Sequence, residues 1–216
     1  MTPLSNRDGD KIPWHGVLFA VQPRIRLTRS FDQRSHTYLG YTLKLRGRVG
    51  SEAREFLVGV GQVAHAKHHF QAGTLVSGEA LPVADPRLET VDLYRVSKLK
   101  VGLPEGEEQQ LPPPWRGVPP PLAVYRERGH RRLADRTFKS RCASCIWGCR
   151  MPVEMIIDDW NPSPRRYRTE TFCYGPRSCP LYQAGPVRTV PGRRGMSYTE
   201  ADWVDEEETA HRRSED

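Results

Sequence analysis

The sequence predicts a mainly β protein in which a small five-stranded barrel precedes a cysteine-rich β module with short helices. Hydrophobicity alternates with a period of two residues through the first hundred positions, as in half-buried strands. All five cysteines fall within residues 142–179. The 216 residues include 18 glycines and 19 prolines, and only 37% are hydrophobic, which favours short strands and ordered loops over a helical bundle.

The composition changes along the chain and predicts five segments. In order, they are a flexible N-terminal arm (1–13), the barrel (14–101), a proline-rich linker (102–122), a basic cysteine-rich module (123–196) and an acidic tail (197–216).

Two alternating runs predict the first two strands. The first run places Val17, Phe19, Val21, Ile25 and Leu27 on one face and Gln22, Arg24, Arg26 and Thr28 on the other. The second run places Tyr41, Leu43, Leu45 and Val49 opposite Thr42, Lys44, Arg46 and Arg48. We expect the apolar members of both runs to face one core.

Three further strands and one helix complete the predicted barrel. Residues 56–63 form a more continuously apolar third strand, residues 64–70 a short helix, and residues 74–81 and 91–96 the last two strands. This order over residues 14–101 resembles that of the OB-fold, a five-stranded Greek-key barrel. A small barrel of the SH3-like kind would give much the same pattern.

The resemblance implies a binding surface for nucleic acid. OB-folds commonly bind single strands through a cationic groove and aromatic rings that stack on bases. On this chain we expect a cationic strip of Arg24, Arg26, Lys44, Arg46 and Arg48, with Tyr38 as a stacking ring. The competing interpretation is that charged residues simply cover the solvated face of the sheet.

Charge is distributed unevenly. Residues 1–101 contain 15 Lys or Arg against 9 Asp or Glu, and residues 123–196 contain 15 against 6. Residues 197–216 contain 2 against 8. Two basic blocks and a net charge of +7 indicate a polyanion partner, with which the acidic tail could compete for the same basic surface. A soluble arginine-rich surface has the same composition.

The cysteine spacing predicts a metal site. Cys142 and Cys145 form one pair and Cys173 and Cys179 a second, separated by predicted strands at 153–157 and 167–172. A cysteine pair, a hairpin and a second cysteine pair, in that order, resemble the layout of a zinc ribbon. The resemblance implies that these four thiolates hold Zn²⁺. The extra thiol, Cys149, departs from that layout, so it is an alternate ligand and leaves a 4Fe–4S cluster as an alternative. A third possibility is that the thiols are buried and bind no metal.

The remaining sequence patterns predict local structure. The proline-rich stretch 111–122 should be extended, with Trp115 clamping it, or should dock a proline-reading partner. His65 and His69 lack the glutamate of a hydrolytic zinc helix, so we expect exposed or capping histidines. Asp158 and Asp159 are expected in a turn. In the tail, Thr199 should cap a short acidic helix with Trp203 docked and a frayed end.

Taken together, these features predict a non-enzymatic protein that binds RNA or single-stranded DNA. The alternatives are an iron–sulfur protein that transfers electrons or senses oxidation, and a structural adaptor that binds a protein partner through the linker or the acidic tail. The sequence contains no apolar run long enough to span a bilayer and no signal-peptide core, so we expect a cytoplasmic protein without a membrane partner.

Overall fold

The computed structural model describes residues 11–30, 33–104, 113–200, 202–213 and 215. The side chains of Pro104, Asp202 and Trp203 are outside this description, and so is the expected docking of Trp203. Residues 1–10 of the expected arm and residues 105–112 of the expected linker also lie outside the described residues.

Most of the regular structure is β. The strands are β1 (Ile12–Arg29), β2 (Arg34–Val49), β3 (Glu52–Val60), β4 (Thr74–Pro82), β5 (Leu93–Pro104), β6 (Arg131–Arg132), β7 (Gly148–Ile156), β8 (Arg165–Cys173), β9 (Arg188–Pro191) and β10 (Ser197–Glu200). The helices are α1 (Gln62–His68), α2 (Leu122–Arg128), α3 (Asp135–Thr137) and α4 (Asp202–Thr209), with a π-turn at Phe138–Cys142 and a 3-10 turn at Arg193–Gly195. The prediction of a mainly β protein is confirmed. Among the described helices, none has the length and apolar character needed to cross a membrane.

Eight strands form one mixed sheet in the order β2-β3-β5-β4-β1-β7-β8-β6, and β1 also pairs with β2. The pairings of the first five strands therefore return to β1. β1 is antiparallel to both β2 and β4, whereas β3 pairs with β5 in parallel. β9 and β10 form a separate two-stranded ribbon.

A bulge at Phe19 changes which residues of β1 face the core. Leu18 lies opposite Leu45 and Ala20 lies opposite Lys44, so Phe19 is an extra residue on its strand. An inserted residue reverses the alternation of side chains along a strand. Val17 is consequently 46% exposed while Leu18 is 1% exposed. The prediction that Val17 faces the core is wrong for this reason, and the predictions for Val21, Ile25 and Leu27 are confirmed.

The first five strands and the cysteine-rich module share one sheet and one core. β1 pairs with β7 in parallel, with Leu27 opposite Val153. Leu27, Val153 and Phe172 are all buried in the same apolar cluster. The predicted hairpin between the cysteine pairs is present as β7 and β8, joined by a loop in which Asp158 accepts a hydrogen bond from Trp160 N at 3.0 Å.

The described part of the proline-rich segment packs against α1 and the module. The Tyr41 hydroxyl donates to Pro120 O at 2.8 Å, and His65 Nε2 bonds to Pro119 O at 2.9 Å. His65 is buried, so its predicted exposure is wrong, whereas His69 forms the C-cap of α1. Trp115 packs against the cysteines and accepts a hydrogen bond from Ile146 N at 2.9 Å, as a clamp would.

The acidic tail is folded into the protein through buried ion pairs. Glu200 pairs with Arg29 at 2.8 Å and with Arg34 at 3.1 Å. Asp205 pairs with the buried Arg132 at 3.0 Å. These carboxylates neutralise arginines of the same chain.

The tail differs from its predicted form at both ends. Thr199 lies in β10 and α4 begins at Asp202, so Thr199 is not the N-cap. Arg212 is buried and donates to Tyr174 O at 3.1 Å and Gly175 O at 3.0 Å. The prediction of a frayed end is therefore wrong at Arg212.

Candidate metal centre and nucleic-acid face

Cys142, Cys145, Cys173 and Cys179 line one small cavity of about 10 Å³. The first pair lies at the π-turn that precedes β7, and Cys173 ends β8. Because Gly148 of β7 is paired with Cys173, the antiparallel hairpin brings both pairs to the same end of the module. The cavity has room for one small occupant of about the size of a water molecule.

Strands β1 and β2 hold the loop that carries the first cysteine pair. Gln22 Nε2 of β1 donates to Cys142 O at 2.9 Å and to Cys145 O at 2.7 Å. Lys44 Nζ of β2 donates to Ala143 O at 2.7 Å. Gln22 is 2% exposed, so these bonds form in a site sheltered from water. These two strands thereby fix the direction of the loop that carries Cys142 and Cys145.

Arg131 holds the turn that carries the second pair. Its Nη2 donates to Pro176 O at 2.9 Å, and its guanidinium lies 3.8 Å from the centre of the Tyr182 ring. Burial raises the pKa of Cys173, while the Gly175 amide and the Arg131 guanidinium oppose the shift. The Gly175 N–H points at Cys173 Sγ, 3.4 Å away. These donors favour the thiolate form, which is the form that binds metal.

The thiols of the first pair are strongly desolvated. Burial raises the pKa of Cys142 to about 12, and the nearby Cys145, Cys173 and Cys179 add to the shift. Burial raises the pKa of Cys145 to about 11, although backbone groups of Trp147, Trp115 and Gly148 oppose it. Four clustered thiols cannot ionise together without a positive charge among them, because each thiolate disfavours the next. A bound cation would supply that charge.

The four thiols suit a metal ion chemically, but their present arrangement is not that of a coordination site. Among the described residues, no group of three or more His, Cys, Asp or Glu side chains is already arranged to hold an ion. Zinc needs four sulfur atoms at about 2.3 Å, so the thiols would have to move closer together. The chemistry fits the ion: four sulfur donors share a cavity walled by Trp115 and Trp147, and an amide donor faces Cys173.

Cys149 lies away from the four-cysteine cavity. It is fully buried in the apolar core shared with the first five strands, and its thiol donates to Pro23 O at 3.4 Å. Its neighbour Gly148 borders the cavity, and successive residues of a strand face opposite sides. The structure therefore does not support Cys149 as the alternate ligand.

Arg24 and Arg26 are engaged with an acidic residue of the same chain. Arg24 donates to both carboxylate oxygens of Glu89 at 2.8 and 2.9 Å, and Arg26 reaches the same carboxylate at 3.0 Å. The Arg24 and Glu89 side chains are only 11% and 14% exposed. A partly buried bidentate pair of this kind is satisfied without an external phosphate.

The other predicted contacts are divided between buried and exposed positions. Lys44 is enclosed near Phe138 beneath the cysteine loop, and burial lowers its pKa to about 8. Arg46 is exposed and pairs with Glu55 at 2.8 Å, and Arg48 is exposed and donates to Ser51 O. Tyr38 is half-buried under the guanidinium of Arg126. The six residues therefore do not form one free cationic strip, because Glu55 and Glu89 lie among them.

The residue that sequence reasoning missed is Gln22. It shares its predicted face with Arg24 and Arg26, and a solvated role was the natural expectation. Nothing in the neighbouring sequence identifies Gln22 as part of the site, because its partners Cys142 and Cys145 are more than a hundred positions away along the chain.

Comparison with protein families, curated proteins and solved structures found no match for this chain. Function must therefore be argued from the residues themselves.

Proposed function

We propose that the chain is a non-enzymatic nucleic-acid-binding protein in which an OB-like barrel carries a zinc-stabilised, ribbon-like module. The observation that carries the proposal is the strand pairing. Five strands whose pairings return to β1, with α1 between β3 and β4, fit the Greek-key barrel that commonly binds single strands.

The placement of charge supports a polyanion ligand. The chain has a net charge of +7. Carboxylates of the acidic tail, including Glu200 and Asp205, are paired with arginines inside the fold. Exposed cations such as Arg48 remain outside those pairs, which is the electrostatic footprint of nucleic-acid binding.

Zinc would complete the module. Cys142, Cys145, Cys173 and Cys179 would hold the ion, with Gln22 and Arg131 orienting the two cysteine loops. A structural zinc ion contributes a cross-link that a small polar segment cannot obtain from apolar burial alone. Cys149 lies in the core, which weighs against a cluster built from Cys142, Cys145 and Cys149.

Metal analysis of protein purified without oxygen tests the centre. We expect one zinc per chain, its loss in Cys173→Ser, and its retention in Cys149→Ser as the matched control. A brown protein that contains iron and sulfide would replace zinc with a cluster. Protein that stays metal-free after zinc is supplied under reducing conditions would contradict the metal centre.

Fluorescence anisotropy with labelled 15-nucleotide oligo(dT) and oligo(rU) tests nucleic-acid binding. We expect binding at low salt that weakens steeply as salt rises, because each neutralised phosphate releases counterions. The two oligonucleotides distinguish DNA from RNA. Absence of binding to either at low ionic strength would remove the proposal.

A role as structural adaptor is the second candidate, and one apolar groove favours it. Pro119–Pro121 and α1 border a groove of about 570 Å³ in which Val63 is 79% exposed. Grooves with exposed apolar side chains often mark protein contacts. A stoichiometric partner that is retained by the native chain and lost in Val63→Asp would support this role.

A further inference from the structure

A groove of about 540 Å³ lies between β8 and the β9–β10 ribbon, on the cysteine-rich module. Three arginines line it: Arg166 and Arg168 from β8, and Arg194 from the turn between β9 and β10. None of the described residues that line it is acidic. The groove is therefore a concentrated positive surface, separate from the barrel residues that the sequence indicated.

Two of the three cations of the groove are available to a ligand. Arg166 and Arg194 are exposed, and among the described residues neither lies within ion-pair distance of a carboxylate. This contrasts with Arg24 and Arg26, whose guanidinium groups bind Glu89. Arg168 is engaged within the protein, because it pairs with Glu170 and its Nη1 donates to Thr189 O at 2.7 Å.

Backbone geometry holds the loop that carries Arg194. Arg194 and Gly195 adopt left-handed conformations with φ of 54° and 80°. Arg193 lies 3.5 Å from the carboxylate of Asp158, in the loop between β7 and β8. This pair connects the ribbon turn to the hairpin loop, so the two walls of the groove are linked at its rim.

An exposed aromatic ring stands in the same hairpin loop. Trp160 is 88% exposed, and Met196 on the groove wall is 52% exposed. Such exposure costs free energy in water, since large apolar side chains are normally buried. Trp160 is three residues beyond Ile157 along the chain, and Ile157 lines the groove.

We propose that this groove binds the phosphodiester backbone of a single-stranded nucleic acid through Arg166 and Arg194, and that Trp160 stacks on a base at its rim. A positive groove beside an exposed aromatic ring is the combination that binds single strands without sequence preference. The inference rests on the proposed function and places its principal contact surface on the module instead of the barrel.

Anisotropy titrations of full-length zinc-loaded protein with 15-nucleotide oligo(dT) and oligo(rU) test the site. The double variant Arg166→Ser with Arg194→Ser should weaken binding and reduce the slope of log affinity against log salt by about 1.4, or about 0.7 for each lost phosphate contact. Trp160→Ala should weaken binding about tenfold, as expected for a lost stacking contact. The control for charge is Arg116→Ser with Arg136→Ser, two exposed arginines outside the groove.

The outcomes separate this inference from the proposed function. If the native protein binds neither oligonucleotide, both fail. If it binds but the groove variant loses no more affinity than the charge control, the groove is excluded while nucleic-acid binding stands. An affinity unchanged by Trp160→Ala, with equal competition by polyglutamate, would identify a general polyanion surface and overturn the assignment to nucleic acid. Unchanged melting temperatures show that the variants are folded.

Discussion

At the scale of single residues, the candidate metal centre depends on a neutral side chain. Gln22 connects β1 to the carbonyls of Cys142 and Cys145, and both bonds are sheltered from water. A buried donor that serves two acceptors is hard to replace, because its loss leaves polar atoms that water cannot reach.

Gln22→Leu should therefore destabilise the protein. The substitution keeps the approximate volume but removes both hydrogen bonds, so we expect the free energy of unfolding to fall by about 1–3 kcal/mol. Urea titration followed by circular dichroism measures the change. Gln62→Leu, at an exposed position of α1, should change stability by less than about 0.5 kcal/mol. Equal effects of the two substitutions would contradict the role given to Gln22.

A half-buried histidine, His36, and a buried one, His130, also act at this scale. The rings of His36 and His130 lie 4.8 Å apart, and His130 Nδ1 is 3.3 Å from Glu208. Burial lowers the pKa of His36 to about 4, with Arg34 and Arg29 adding to the shift and Glu200 opposing it. Burial also lowers the pKa of His130. Both rings are therefore neutral in the folded protein at pH 7.

Stability should fall as pH drops through this range. The unfolded chain takes up protons near the ordinary histidine pKa of 6.5, whereas folded His36 resists protonation until about pH 4. The stabilising contribution is complete above pH 6.5 and is lost between pH 6.5 and 4. Burial raises the pKa of Glu208, which partly offsets this trend at the acid end.

Replacing His36 with phenylalanine should reduce the pH dependence. Between pH 7 and pH 5 the loss of stability should be smaller than in the native protein by about 2 kcal/mol. Urea unfolding at the two pH values measures it. The exposed His15→Phe is the control and should leave the slope unchanged. A His36→Phe slope equal to that of the native protein would show that His36 does not titrate as its burial implies.

At the scale of elements, α4 is held by charge instead of a wide apolar face. Asp205 Oδ2 accepts hydrogen bonds from the Arg132 backbone N–H at 2.8 Å and from Arg132 Nε at 3.0 Å. Val204 and Thr209 of α4 are buried, whereas Glu206 and Glu207 are exposed. An acidic residue of the tail thus docks α4 onto the buried Arg132.

Asp205→Ala should weaken that docking. Removing one partner of a buried ion pair leaves the other charge desolvated, so we expect a loss of about 3–5 kcal/mol. Glu206→Ala on the same helix should cost less than about 0.5 kcal/mol. Chemical denaturation of both variants measures the difference, and a small loss in Asp205→Ala would mean that other partners of Arg132 suffice.

At the scale of the whole molecule, the first five strands and the cysteine-rich module share one sheet and one apolar cluster, so we expect them to unfold together. β1 pairs with β4 near its N-terminal end and with β7 near its C-terminal end. The apolar cluster continues from Leu27 into Val153 and Phe172 without interruption. An ion that stabilises the module should therefore stabilise the first five strands as well.

Removal of zinc by a chelator under reducing conditions should lower the stability of the entire fold in one transition. With free zinc at a thousand times its dissociation constant, the loss on removal is about 4 kcal/mol. Tryptophan fluorescence and far-ultraviolet circular dichroism should report the same midpoint. The Cys173→Ser variant should show no response to the chelator. Separate transitions for the two probes would mean that the module and the first five strands unfold independently.

Much of the fold could be predicted from local pattern. Alternation along β2 identifies the buried Leu43, Leu45 and Val49, because the direction of a side chain in a strand is set by its parity. Cysteine spacing and the intervening hairpin identify the four thiols that share the cavity. These features depend on neighbours that are close in sequence.

Other features depended on contacts between distant segments. The bulge at Phe19 reversed the parity of Val17, and long-range partners occupied Arg24, Arg26 and Lys44. Periodicity reports whether a side chain faces a core or the outside, but the outside of one element can be covered by another. The sequence by itself determined where the strands lie along the chain and that the two cysteine pairs share one cavity. Only the tertiary structure decided which cations stay free, because pairing with Glu89 or burial under the cysteine loop depends on chain segments far apart in sequence.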